Sequence, residues 1–237
     1  VIDDSRKTIH IDSIKAAGGI EAAYTKYLDG DIEYFKISKD HAEGMYAFME
    51  QFRARAKGVK CVKGHTTGPI SFALTVTNEN KQGIMYDRDI FEVMTKVLCM
   101  KVKWQIRELK KLFPSVIIFI DEPYLVSIGS SFVNINIKDA FAKLGEVIAA
   151  IKEEGALAGL HCCGNTDWPL LLDLGLDILN FDSYAFTKEF LLYSAEIKAF
   201  LATGAAIAWG IVPSSEAIEK ESADSLAARF VEGIDML

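Results

Sequence analysis

The segment His161-Cys162-Cys163-Gly164-Asn165 sets an imidazole beside two thiols. On a β-strand, side chains alternate with period two, so His161 and Cys163 share one face and Cys162 takes the other. A nitrogen and a sulfur on one face can hold a single tetrahedral ion, and that mixed donor pair suits Zn²⁺. In isolation the same pattern more often describes a buried histidine, two small core cysteines and a turn. Carboxylates elsewhere shift the balance toward ligands. Asp121 directly follows the apolar run Val116-Ile117-Ile118-Phe119-Ile120, and Asp182 closes Ile178-Leu179-Asn180-Phe181. An oxygen at Asp182 can be a third metal ligand. Asp121, with Glu122 beside it, is expected on the substrate side of the site, where a carboxylate can hold an ammonium group. Taken singly, each carboxylate also reads as a helix cap. His65 reads as a hydrogen-bonded loop residue, and His10 and His41 fall on surface-like segments.

Long amphipathic helices alternating with short apolar runs must position these groups. Asp40 and Glu43 form an N-cap pair ahead of Met45, Phe48, Met49 and Phe52 at helical spacing, with Gly58 as the stop. Phe91, Met94, Leu98, Val102, Ile106 and Leu109 form a second stripe, ended by Pro114. Phe141, Leu144, Ile148 and Ile151 form a third, ended by Gly155. Shorter helical patterns cover residues 169–174, 188–201 and 216–230. Between them lie candidate strands at 59–63, 116–121, 157–161, 177–182 and 205–210, with 32–36 at best part of another.

Regular alternation of strand and helix means a parallel α/β fold, either an open doubly wound sheet or a (β/α)8 TIM barrel. Helices return to strands through short links, whereas strands leave through polar, reactive residues: His65-Thr66-Thr67, Asp121-Glu122, His161 to Cys163, and Asp182 to Tyr184. Chemistry gathered at the carboxyl ends of successive strands is how a TIM barrel builds its site. An open sheet concentrates it at one switch point beside a Gly-rich phosphate loop. The chain has no G-x-G-x-x-G, and the segment 64–68 is not followed by Lys-Ser/Thr, so it is no P-loop. A barrel in a single domain spanning 1–237 is the expected architecture.

Composition narrows the partners. The 237 residues carry 26 Lys+Arg against 33 Asp+Glu, a net charge of −7. That acidic balance argues against a nucleic-acid or anionic-membrane binder. Four cysteines, two of them adjacent, make no disulfide framework and suit a reducing compartment. The longest uncharged stretch, 199–215, is interrupted by Thr203, Gly204, Gly210 and Pro213 and is no spanning helix. The opening Val1-Ile2-Asp3-Asp4-Ser5-Arg6 has no basic region followed by an apolar core. The expected compartment is therefore the cytoplasm.

Four motifs fall in one order: Lys63-Gly64-His65-Thr66-Thr67-Gly68-Pro69, Ile120-Asp121-Glu122-Pro123, His161-x-Cys163, and Asp177-Ile178-Leu179-Asn180-Phe181-Asp182. Over residues 60–214 the chain resembles the catalytic barrel of the cobalamin-independent methionine synthase family. That family lies within the uroporphyrinogen decarboxylase and corrinoid methyltransferase superfamily. The resemblance implies that His161 and Cys163 are zinc ligands, that Asp182 stands where the family has a glutamate ligand, and that Asp121 belongs to the pocket for an amino-acid thiol such as homocysteine. Two departures matter. The family's last ligand is a cysteine at the end of the eighth strand, which would lie beyond Leu237. The segment Trp209-Gly210-Ile211-Val212-Pro213-Ser214 lacks the histidine that follows it in folate-using members. A methylcobalamin donor, carried by a corrinoid or corrinoid protein, thereby stands level with a methyl-tetrahydrofolate one.

Three functions follow as expectations. The first is a zinc-activated thiol methyltransferase, in which the ion keeps the acceptor sulfur as thiolate. The second is a metal-free lyase of the uroporphyrinogen decarboxylase type, though no Arg cluster suits a polycarboxylate. The third is a non-catalytic corrinoid- or metal-binding barrel. The loop 122–138, with Gly129-Ser130-Ser131, can close over the substrate or be a structural excursion. Only five strands are secure, and the helix at 222–237 turns Leu226, Phe230 and Ile234 inward with no strand after it. The barrel is thus expected to be incomplete, lacking its opening strand and strand eight, with zinc absent or short of a protein ligand.

Overall fold

In a computed structural model, which describes residues 2–3, 8–55, 57–128, 133 and 135–237, the chain forms two sheets. Strands β1 (Ile2–Asp3), β2 (Thr8–Ile11) and β4 (Thr77–Asn78) make a small three-stranded one. Strands β3 (Val62–Thr67), β5 (Val116–Asp121), β6 (Leu157–Cys162), β7 (Ile178–Phe181) and β8 (Ala206–Trp209) make the main one, five strands in that spatial order. Every neighbouring pair in the main sheet is parallel. Its two edges do not meet, so no barrel closes among the described residues.

The two faces of the main sheet differ. Ile118, Ile120, Ala158, Leu160, Cys162, Leu179 and Phe181 point to one side and are wholly buried. Helices cover that side. The largest are α4 (Arg88–Lys110) and α5 (Ile137–Glu153), which pack on each other, with α1 (Ser13–Leu28) outside α4. Asp87 starts α4 by accepting from the Ile90 N–H at 3.1 Å, and Asn136 starts α5 by accepting from Lys138 N–H at 3.0 Å. Their apolar stripes, including Leu98, Val102 and Ile106 on α4 and Leu144, Ile148 and Ile151 on α5, form the core against the strands. On the solvent side Lys96 joins Glu92 (3.1 Å) and Glu146 (2.5 Å). Gly155 leaves α5 at φ +64°, a left-handed turn that returns the chain directly into β6.

The remaining helices are short: α2 (Glu43–Phe52), α3 (Pro69–Thr75), α6 (Trp168–Leu172), α7 (Ser183–Leu191), α8 (Ser194–Ala202) and α9 (Ala223–Asp235). The opposite face of the sheet stays open. Lys63, His65, Thr67 and Leu157 are exposed there, and Ile117, Asp121, His161, Ile178 and Asn180 are half-buried.

Several expectations need correction. The first inner strand is Val62–Thr67, not 59–63, and His65 lies within it on the open face rather than in a loop. Residues 32–36 form no strand. Asp31 accepts from the Tyr34 N–H at 3.2 Å and caps a 3-10 turn there instead. The pattern at 188–201 is two helices parted at Leu192 and Tyr193, and 216–230 divides into a 3-10 turn (Glu216–Lys220) and α9. On α9, Leu226 is buried and Phe230 meets Trp209 edge-on at 5.7 Å, whereas Ile234 is 42% exposed. No helix among the described residues is long and apolar enough to cross a membrane.

Candidate functional site

Backbone register places one row of residues along the carboxyl edge of the main sheet. Thr67 pairs with Asp121, Asp121 with His161, His161 with Asn180, and Asn180 with Ala208. Side chains in register on neighbouring strands point the same way, so this row projects from the open face. Its floor is the row beneath, where His65, Phe119, Gly159 and Ile178 are in register. A β-carbon on Gly159 would stand 2.9 Å from the Phe119 ring, so only glycine lets that ring lie across β6. Phe119 is 8% exposed, and Lys63 Nζ sits 4.7 Å above its centroid. The arrangement is a polar row on a floor that is apolar from Phe119 to Ile178.

His161 is half-buried, and its Nδ1 lies 2.6 Å from Asn180 Oδ1. The same amide donates from Nδ2 to the Ala208 carbonyl at 2.7 Å. Cys162 is wholly buried on the helix side, its Sγ 3.4 Å from the Gly164 carbonyl. Burial pushes its thiol up to about 11. Cys163, one residue past the strand, is exposed. The alternation read from sequence thus holds for the two described strand positions: His161 on the open face and Cys162 turned into the helix layer.

The carboxylates divide. Asp121 stands in the row beside His161, as its place at the end of β5 suggests. Glu122 does not belong with it, and its expected place on the substrate side is corrected. Its side chain is on the helix side and wholly buried. There Oε1 accepts from the Ile70 N–H at 2.9 Å, and Oε2 accepts from the Ser71 N–H at 2.8 Å and the Ser71 hydroxyl at 2.6 Å. Glu122 therefore pins the start of α3 to the end of β5. Burial pushes its carboxyl up to about 7 against the pull of those donors. Asp182 is half-buried and caps α7, accepting from the Ala185 N–H at 3.2 Å. Within the loop 122–138, Gly129-Ser130-Ser131 lie outside the described residues.

His161 and Cys163 offer nitrogen and sulfur at one strand end, a donor pair that fits Zn²⁺. Asp182 as it stands is engaged by α7. Among the described residues, no three His, Cys, Asp or Glu side chains are gathered to hold a metal ion.

No protein-family model matches the chain. No curated protein matches it either.

Asn180 is not among the residues the sequence singles out, though it carries a signal. Asparagine is disfavoured inside strands, and this one lies two positions before Asp182, hence on the same face. Nothing local in the sequence links Ser71 to a carboxylate 51 residues later.

Proposed function

We propose that the chain is the catalytic part of a zinc-dependent methyltransferase that moves a methyl group from a corrinoid or folate donor to a small thiol such as homocysteine. The observation that carries this reading is the row on the open face. A carboxylate (Asp121) and an imidazole (His161) stand in register on adjacent strands, with an exposed thiol (Cys163) following the imidazole. Helices on one face and a bare, polar-edged face on the other support reading the sheet as an arc of a (β/α)8 barrel, whose sites lie at the carboxyl edge. A cytoplasmic setting accords with the free thiols.

His161 and Cys163 would hold the zinc, joined by Asp182 if its carboxylate leaves the α7 cap. Bound there, the ion would keep an incoming thiol ionised at neutral pH. The remaining work belongs to the chain. Asp121 holds the α-ammonium of the acceptor and so fixes the sulfur's approach. Phe119 and the aliphatic residues beside it keep water from the floor of the site. In the transfer, the acceptor sulfur forms the new S–CH3 bond while the donor leaves with the bonding pair.

The test is methyl transfer by the full-length gene product, with methylcobalamin and methyl-tetrahydrofolate offered separately and homocysteine as acceptor. Zinc content is measured on the same preparation. Methionine formation that chelation abolishes and zinc restores is the expected result. A zinc-free protein that forms no methionine from either donor would overturn the reading and favour a metal-free lyase.

A further inference from the structure

We propose that Asn180 is a positioning residue that fixes the tautomer of His161, holding the proton on Nδ1 and leaving Nε2 as a bare lone pair over the open face. The role of that lone pair toward a metal rests on the function proposed above. Its existence does not.

The inference follows from a chain of obligatory roles. A backbone carbonyl can only accept hydrogen bonds, so the Asn180 atom 2.7 Å from Ala208 O must be the amide nitrogen. A flipped amide would set two acceptors against each other. The amide oxygen must then face the ring, where Nδ1 stands 2.6 Å away. An amide oxygen cannot donate, so Nδ1 carries the hydrogen. In the neutral ring, Nε2 has none. The orientation of one side chain thus passes from the main chain of β8, through β7, to a ring on β6. Register makes this possible, because His161, Asn180 and Ala208 are consecutive partners across the three strands. The tautomer imposed is the opposite of the one an unconstrained histidine favours, so it is a property of the fold rather than of the residue.

An imidazole held this way offers an oriented σ-donor and gives up less ring rotation on binding than an unrestrained one. Partners that hold the far nitrogen of a ligating histidine act in this manner, and losing them typically lowers metal affinity by roughly 10–100-fold.

The experiment is long-range ¹H–¹⁵N correlation of the histidine rings in the full chain, at a pH where they are neutral. The His161 signals are assigned by their disappearance in His161→Gln. The wild-type ring should show a protonated Nδ1 and an unprotonated Nε2. Asn180→Ala should release the ring to the Nε2-protonated form; in Asn180→Asp one oxygen still accepts from Nδ1 while the other loses the donor contact to Ala208, so the ring should keep the wild-type pattern at a cost in stability. Zinc affinity should fall roughly 10–100-fold in Asn180→Ala and largely recover in Asn180→Asp. A merely structural amide would leave the tautomer unmoved in a folded Asn180→Ala chain. A wild-type ring protonated on Nε2 would overturn the inference without recourse to any variant. If the tautomer behaves as expected but the wild type neither binds zinc nor methylates a thiol, the functional reading fails and the assignment of Asn180 stands.

Discussion

A β-carbon on Gly68 would stand 2.1 Å from Oε1 of Glu122, so the two residues compete for one space. Thr67-Gly68-Pro69 and Asp121-Glu122-Pro123 are therefore halves of one lock. The absent side chain lets the carboxylate reach the first N–H groups of α3, and those contacts hold the ends of β3 and β5 level. Gly68→Ala should destabilise the protein by about 1–3 kcal/mol, as overpacking generally does. Combining it with Glu122→Ala should cost less than the sum of the two changes, because the second removes what the first strikes. Urea midpoints of the four proteins measure this, and strict additivity would break the link.

Glu122 also predicts a pH slope. Burial raises its carboxyl from the ordinary 4.5 to about 7, so the folded state holds this proton more tightly than the unfolded one. The contribution to stability is complete below the unfolded value and is lost as pH rises through the folded one. Between pH 5 and pH 8, this group should remove at most about 3 kcal/mol. Glu122→Gln cannot ionise and should lack that fall, whatever its absolute stability. Parallel slopes for the two proteins in urea titrations at several pH values would contradict the assignment.

The β-α alternation was legible because apolar runs such as Val116-Ile117-Ile118-Phe119-Ile120 and the stripe on α4 announce their burial directly. The one-residue alternation at His161 and Cys162 was equally plain. The first inner strand is hard to place from sequence because β3 faces helices on one side only. Its open-face residues Lys63, His65 and Thr67 are polar and read as loop. The break between α7 and α8 was hidden by the apolar content of Leu191, Leu192 and Tyr193, although Leu192 is 79% exposed. Adjacent carboxylates look alike in sequence, so Glu122 reads there as a partner of Asp121. The strand period sends them to opposite faces, as it does His161 and Cys162. The partners of Glu122 and Asn180 are long-range contacts that no local pattern encodes.

The cysteines should separate by reactivity. Cys99 and Cys162 are buried, and burial pushes their thiols up to about 12 and about 11 respectively. Thiolates are the reacting species, so both should resist alkylation in the native protein, while the exposed Cys61 and Cys163 react. Mass spectrometry after a brief iodoacetamide pulse locates the label. Zinc added beforehand should protect Cys163 and leave Cys61 unchanged. Labelling of Cys162 as fast as Cys163 would mean that the carboxyl end of β6 opens readily or is packed differently.

Asp121 and His161 are neighbours in register, yet they should fail differently when altered. On the proposed reading, Asp121 meets the ammonium of the acceptor and His161 meets the metal. A charge-assisted hydrogen bond is worth about 1.5–3 kcal/mol. Asp121→Asn should therefore raise the KM for homocysteine roughly 10–100-fold while zinc content stays at the wild-type level. An acceptor thiol that lacks the amino group should discriminate little between the two enzymes, because the contact that distinguishes them is then missing from both. His161→Ala should instead lose zinc along with turnover. If Asp121→Asn lost zinc too, the carboxylate would be a ligand, and the row would read as a metal site from β5 to β6 with the substrate held elsewhere. Unchanged KM for homocysteine with full zinc would remove Asp121 from the acceptor pocket altogether.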